Sequence, residues 1–212
     1  MPLYHNVKHR FFQLSIWHIT EEEEELGEDL ILHTSDERQL QALHTPARRR
    51  EFMALRRCLR EHYQGHNPAV HYRRSGKPYL TEPHHISFSH TRHYAAVISS
   101  QRLRVGIDLE CVRPSMQRIE KKFVRPSEQR SLPRENRLSA LTSLWSAKEC
   151  AVKITGNRRL DFLKEIHIAP FSPRQPRRMR GLVYHRGQPL PLSFLSKPYP
   201  DFQLTIGWVQ PH

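Results

Sequence analysis

The residues best suited to chemistry fall in two short stretches, VGIDLE at 105–110 and LWSAKECAVK at 144–153. In an extended chain Asp108 and Glu110 share a face, because side chains alternate with period two. Two carboxylates on one face of an apolar strand repel each other and are costly to bury. A divalent cation between them removes that penalty, and few oxygen ligands with room left for phosphate and water is a magnesium arrangement. Taken alone, Asp-x-Glu reads first as a strand end where both acids meet solvent or arginine. The second stretch reads as a helix. At about 100° per residue, Trp145, Glu149 and Lys153 form one row with Lys148 beside it. Leu141, Leu144, Ala151 and Val152 supply apolar area on the other side. An i,i+4 Glu–Lys pair by itself is worth about 0.3 kcal/mol. A third carboxylate near the strand pair would complete a magnesium site, and the lysines would neutralise phosphates there. Phosphoryl-type transfer needs that set.

Elements must hold these residues in place. FFQLSIWHI, 11–19, alternates loosely and reads as a strand. Thr20 with Glu23 fits a capping box in TEEEEELGEDLI, an acidic turn. Thr45 and Pro46 open a helix as N-cap and first helical residue, and Gly65 closes it. Phe52, Leu55, Leu59 and Tyr63 form its apolar stripe, and Arg48, Arg49, Arg50, Arg56, Arg57 and Arg60 decorate the rest. After the turn of SGKPYL (75–80), strands are expected in HISFSHT (85–91), YAAVISS (94–100) and RVGIDLECV (104–112), a spacing that suits an antiparallel or mixed sheet. Residues 113–137 are polar, basic and proline-punctuated. A long helix spans about 135–155, ended by Gly156-Asn157. Short strands follow at 164–168, 181–185, 192–195 and 202–209, divided by turns such as PFSPRQPRRMR.

The totals bound the reading. With 212 residues the chain makes one large domain or two small ones. A formal charge of +13 implies an acidic partner: nucleic acid, anionic membrane, a phosphorylated small molecule or an acidic protein. Three cysteines without close spacing (Cys58, Cys111, Cys150) argue against a disulfide framework or a thiolate zinc site. No run approaches the roughly 20 apolar residues of a membrane span, so a reduced, cytoplasmic setting is expected.

The two stretches, 34 residues apart, resemble the two-part signature of the 4′-phosphopantetheinyl transferases, in particular the larger, surfactin-synthetase-activating branch. SGKPYL and ISFSHT resemble two further blocks of that family in the same order, so the likeness covers roughly residues 45–160. It implies an α+β fold of two similar subdomains, 1–103 and 104–212, related by a pseudo-twofold. Each would be a small antiparallel sheet packed on a long helix, with coenzyme A in the cleft between them. It implies transfer of the phosphopantetheine arm of coenzyme A to a serine of an apo carrier protein, releasing 3′,5′-ADP. Asp108, Glu110 and Glu149 would hold magnesium, and Lys148 and Lys153 would face the phosphates, Lys153 assisting the leaving group. Lys77, Ser89 and His90 would touch the adenosine phosphates, and Arg49 and Arg56 the 3′-phosphate. Glu149 or a water on the metal would be the base. A single chain with both halves is expected to work as a monomer. The charge has a matching explanation: residues 112–137 hold eight Lys or Arg against three Glu, which suits docking of an acidic carrier. Thr91 and Cys150 depart from the commoner residues of the family blocks, and both remain small.

Other classes fit less well. A nucleic-acid-binding protein would rest on charge and scattered aromatics, but no RNP motif, zinc-finger spacing or helix-turn-helix is present. An inactive coenzyme A-binding relative is disfavoured by intact Asp108, Glu110, Glu149 and Lys153. His84, His85, His90 and His93 cluster without the spacing of a helical metal-binding pair. The carrier and its pathway are not named by the residues.

Overall fold

A computed structural model of the chain describes residues 3–81, 84–130, 132–172, 174–185 and 187–210. It divides into two compact units, Met1–Leu103 and Arg104–His212. The fold class is α+β, each unit being an antiparallel sheet with a long helix laid on it.

In the N-terminal unit a four-stranded sheet has the order β1 (Leu3–His9), β2 (Phe12–His18), β6 (Tyr94–Ser100), β5 (His85–His90). A separate two-stranded ribbon pairs β3 (Val70–Tyr72) with β4 (Pro78–Leu80). Helix α3 (Pro46–His62) begins as its residues dictate, with Pro46 in the first turn and the Thr45 hydroxyl accepting from the Arg48 amide. It packs on β2 and β6 through Leu55, Cys58 and Leu59, while Phe52 and Tyr63 are only half-buried. Three elements lay outside the sequence reading: β1, β3, and α2 (Thr34–Gln41), which is polar along much of its length. The acidic helix α1 (Glu23–Gly27) is capped by Glu22 with Glu25, two residues later than the expected Thr20–Glu23 box.

In the C-terminal unit a five-stranded sheet runs β7 (Val105–Glu110), β11 (Gln203–Val209), β10 (Gln188–Pro198), β9 (Arg177–His185), β8 (Ile166–Ile168), antiparallel throughout. Between β7 and the long helix α6 (Arg137–Thr155), the basic segment folds into two short helices, α4 (Ser115–Ile119) and α5 (Pro126–Gln129). Gly156, in the left-handed conformation, ends α6. This helix is buried nearly all round. From Leu144 to Thr155 only Trp145, Glu149, Val152, Lys153 and Thr155 keep partial exposure, which leaves one narrow polar stripe.

Helix α6 lies unusually close to the sheet. Gly106 on β7 pairs across the ladder with Gly207 on β11. A methyl carbon added at Gly106 would stand 2.6 Å from the Cys150 carbonyl oxygen, and one at Gly207 would stand 3.2 Å from the Cys150 Cβ. The two glycines make a dent that a small residue, Cys150, fills. Its thiol donates to the Thr205 carbonyl at 3.3 Å, and burial holds its pKa well above the usual thiol range. Gly106→Ala is therefore expected to push α6 outward. Urea unfolding should show a loss of about 1–3 kcal/mol, the usual size of an overpacking penalty; an unchanged midpoint would show that the helix has room to move.

Candidate functional site

On β7 the odd residues, Val105, Ile107 and Leu109, are buried. The even residues, Gly106, Asp108 and Glu110, meet α6, which runs antiparallel to the strand. Cys150 stands over Gly106, Lys153 reaches Asp108, and Trp145 reaches Glu110. Because β7 is an edge strand, its two acids and the polar stripe of α6 meet at the border of the sheet.

Lys153 is the central cation. Its ammonium donates to Asp108 Oδ1 at 2.8 Å and to the Ile107 carbonyl at 2.6 Å. Burial pulls its pKa down, but Asp108, Cys150 and Glu149 outweigh that and hold the ammonium above its ordinary value. Glu110 is pushed up by burial and then by Asp108, against the pull of Arg113 and a hydrogen bond from the Trp145 indole. Arg113 holds Glu110 at 3.2 Å, so the arginine-at-a-strand-end alternative describes part of this carboxylate's surroundings. Trp145 is itself fixed by edge contact with Phe123 and a tilted contact with Phe162, at ring separations of 5.1 and 5.4 Å. Glu149 makes no hydrogen bond or ion pair with a described residue. Burial, then Asp108, push its pKa up to about 6; Lys153 pulls it down and Glu110 pushes again.

Three carboxylates thus lie within one another's field, with one ammonium among them. Their oxygens are the donor type that magnesium takes, and a divalent cation would relieve their mutual repulsion, so the residues present fit such an ion. Among the described residues no three acidic, histidine or cysteine side chains are gathered at metal-ligand spacing. Lys153 and Arg113 hold two of the carboxylates instead.

Other expected residues stand elsewhere. Lys148, expected to face the phosphates, does not lie on the polar stripe but is buried. Its ammonium is fully enclosed, donating to Glu128 at 2.8 Å and to the carbonyls of Phe123, Phe162 and Ile166 at 2.7, 2.9 and 3.2 Å. Glu128 in turn accepts from the amides of Arg125 and Ile168. With four acceptors, Lys148 has none of its three protons left for a ligand. Arg56 is likewise withdrawn. It is buried, paired with Asp36 at 2.6 Å, bonded to the Tyr72 hydroxyl at 3.0 Å, and lies over the Phe52 ring. Arg49 forks onto Glu23 and the Leu40 carbonyl, tying α1 to α3.

Sequence reasoning placed Lys148 and Arg56 on open faces because it could not see what packs over them, whereas Arg49 does keep partial exposure. Lys77 lies in the turn before β4, Ser89 is buried at the end of β5, and His90 Nδ1 stands 3.3 Å from Glu51. Glu51 also holds Arg48 at 3.0 Å, so the arginine that α3 brings to His90 is Arg48. The i,i+3 spacing of Arg48 and Glu51 was the available signal. Arg177, expected in an irregular turn, begins β9 and is fully buried, donating to Ser139 and Ser143.

Residues 104–206 match the family described as the 4′-phosphopantetheinyl transferase superfamily. Over 151 residues the chain is 32% identical to the 4′-phosphopantetheinyl transferase HetI of Nostoc sp. (strain PCC 7120 / SAG 25.82 / UTEX 2576). That alignment takes in 64% of this chain and 63% of the relative's length.

The raised Glu149 pKa carries a stability consequence. The folded protein holds this proton more tightly than the unfolded chain does. The strain is absent below about pH 4.5, enters as pH rises through 6 and is complete above it. Raising a carboxyl from its ordinary 4.5 to about 6 corresponds to about 2 kcal/mol. With divalent cations chelated, Glu149→Gln should raise unfolding stability by up to about that amount at pH 8 and little at pH 4; equal effects at both pH values would show that the carboxylate is not strained.

Proposed function

We propose, from the match of residues 104–206 to the 4′-phosphopantetheinyl transferase superfamily, that the protein transfers the phosphopantetheine arm of coenzyme A to a serine of an acidic acyl or peptidyl carrier protein. The observation that carries the reading is the convergence of Asp108, Glu110 and Glu149 with Lys153 where α6 meets the edge of β7.

Asp108, Glu110 and Glu149 would hold magnesium. When bound, the ion supplies positive charge to the oxygens of the diphosphate. Lys153, kept protonated by Asp108, is the ammonium that would neutralise the leaving phosphate. Glu149, or a water on the metal, would take the base role. The serine oxygen forms its bond to the β-phosphorus as the bond to the α-phosphate side breaks. The hydroxyl proton passes to that base, and 3′,5′-ADP leaves with the electron pair. Trp145 is a positioning residue, orienting Glu110 through its indole N–H. Lys148 supports the site from within by tying α5 and β8 to α6.

Arg49, Lys77, Ser89 and His90 stay assigned to the nucleotide end of coenzyme A on the resemblance alone. Arg48, joined to His90 through Glu51, replaces the buried Arg56 in that set. For the carrier, Arg113, Arg118, Lys121, Lys122, Arg130 and Arg134 are exposed along the basic segment. Arg125 and Arg137 are instead used internally, against Leu163 and Glu120. No described helix is long and apolar enough to cross a membrane.

Incubation with coenzyme A, magnesium and a panel of apo carriers should give the mass gain of one phosphopantetheine. Glu149→Gln should remain folded and lose this transfer, because an amide is a poor magnesium ligand and a poor base; near-wild-type turnover would refute the assignment. The Michaelis constant for the carrier should rise with salt, as exposed charges are screened beyond about 8–10 Å at ordinary ionic strength. A salt-insensitive constant would remove the basic segment from the docking surface.

A further inference from the structure

The N-terminal unit carries a second concave site that none of the candidate residues enters. A cavity of about 490 Å³ lies where the turn between β1 and β2, the C-terminal end of α3, the start of β5 and the end of β6 come together. Its size falls in the ordinary range of small-molecule sites, about 300–1,000 Å³. Lys8, Arg10 and Arg102 line it, and no carboxylate does. None of the three forms an ion pair with a described residue.

Flat rings share the wall. Phe11, Phe12 and Tyr63 are half-buried there, with Arg10 over the Phe11 ring at 4.3 Å and His9 stacked on Phe12 at 4.8 Å. Behind the wall, buried His62 bonds Ser99 and Ser15 at 2.7 and 2.9 Å. Its pKa is pushed down to about 4, by burial first and then by His84 and Lys8. The cavity is also remote from Ser89 and His90. In the β5–β6 ladder His85 faces Ser100 at the cavity end, whereas His90 faces Ala95. Five residues of strand separate those ends, about 16 Å.

Cations without a carboxylate partner select an anion, and the partly exposed rings beside them offer a wall for a planar group. We propose that this cavity binds a nucleoside phosphate, its phosphate on Lys8, Arg10 and Arg102 and its base against Phe11, Phe12 and Tyr63. An inorganic anion would leave the rings unused, and an apolar ligand would leave three charges uncompensated.

Calorimetric titration of the whole protein with 5′-ADP, ribose 5-phosphate and adenosine tests this, beside the variant Lys8→Gln/Arg102→Gln. Both replaced side chains are exposed, so the variant should melt as the wild type does. The wild type should bind ADP at a site that weakens at least about tenfold in the variant, or about 1.4 kcal/mol. Ribose 5-phosphate and adenosine should each bind that site at least about tenfold more weakly than ADP. Transfer from coenzyme A, if the proposed activity holds, should be unchanged in the variant. Identical ADP isotherms for both proteins would overturn the proposal, as would ribose 5-phosphate binding as tightly as ADP. A short oligonucleotide binding far more tightly than ADP would replace a small-molecule site with a nucleic-acid track. Transfer falling in step with ADP binding would merge the cavity with the coenzyme A site.

Discussion

The candidate site depends on how near a helix backbone can come to a sheet. Gly106 and Gly207 face each other across β7 and β11, and Cys150 of α6 settles over them. A side chain at Gly106 would hold the helix off, and one at Gly207 would meet the Phe194 ring first and then Cys150. At that separation the next residues along α6 are level with the next residues along β7, so a lysine amine can reach both a carboxylate and a strand carbonyl. The carboxylates inherit their closeness from the same contact. Burial first, and then their mutual repulsion, raise the pKa values of Glu110 and Glu149, the local penalty of gathering carboxylates where water is scarce.

One helix turns two lysines to opposite uses. Lys148 and Lys153 are five residues apart, and on an isolated helix both would be solvated. Lys148 points inward and is consumed by Glu128 and three carbonyls, which satisfy a charge that would otherwise be prohibitive to bury. Lys153 lies on the remaining polar stripe, where its partner is a carboxylate of the site itself. A similar division holds for the arginines of α3. Arg56 is locked to Asp36 within the fold, while Arg48 stays largely exposed. Beneath α6 a row of polar residues crosses the sheet in register, Asp108 opposite Thr205, Thr205 opposite Ser196, and Ser196 opposite Arg177. Hydroxyls on α6 and β10 receive the buried guanidinium or pass the hydrogen bonds on. Burial lowers the pKa of that guanidinium.

The high net charge is accordingly not one surface. Part of it is spent inside the fold, as with Lys148, Arg56 and Arg177. Part borders the acidic site as Lys153 and Arg113. Much of the rest is exposed, including residues on the segment between β7 and α6, around the cavity of the N-terminal unit and on β9. A count of Lys and Arg anticipates an anionic partner but cannot sort these populations.

Alternation along VGIDLE and the 3.6-residue period of LWSAKECAVK were enough to place Asp108 with Glu110 and to align Trp145, Glu149 and Lys153, because both follow from backbone geometry alone. The cap at Thr45-Pro46 and the stop at Gly156 were equally local, and equally legible. The inward turn of Lys148, the loss of Arg56 to Asp36 and the strand position of Arg177 were not. Each is fixed by hydrogen bonds to residues 14 or more positions away in the chain. Whether a long cationic side chain ends in water or in the core depends on which carbonyls and carboxylates fold over it. That is a property of packing, and only the tertiary structure decides it.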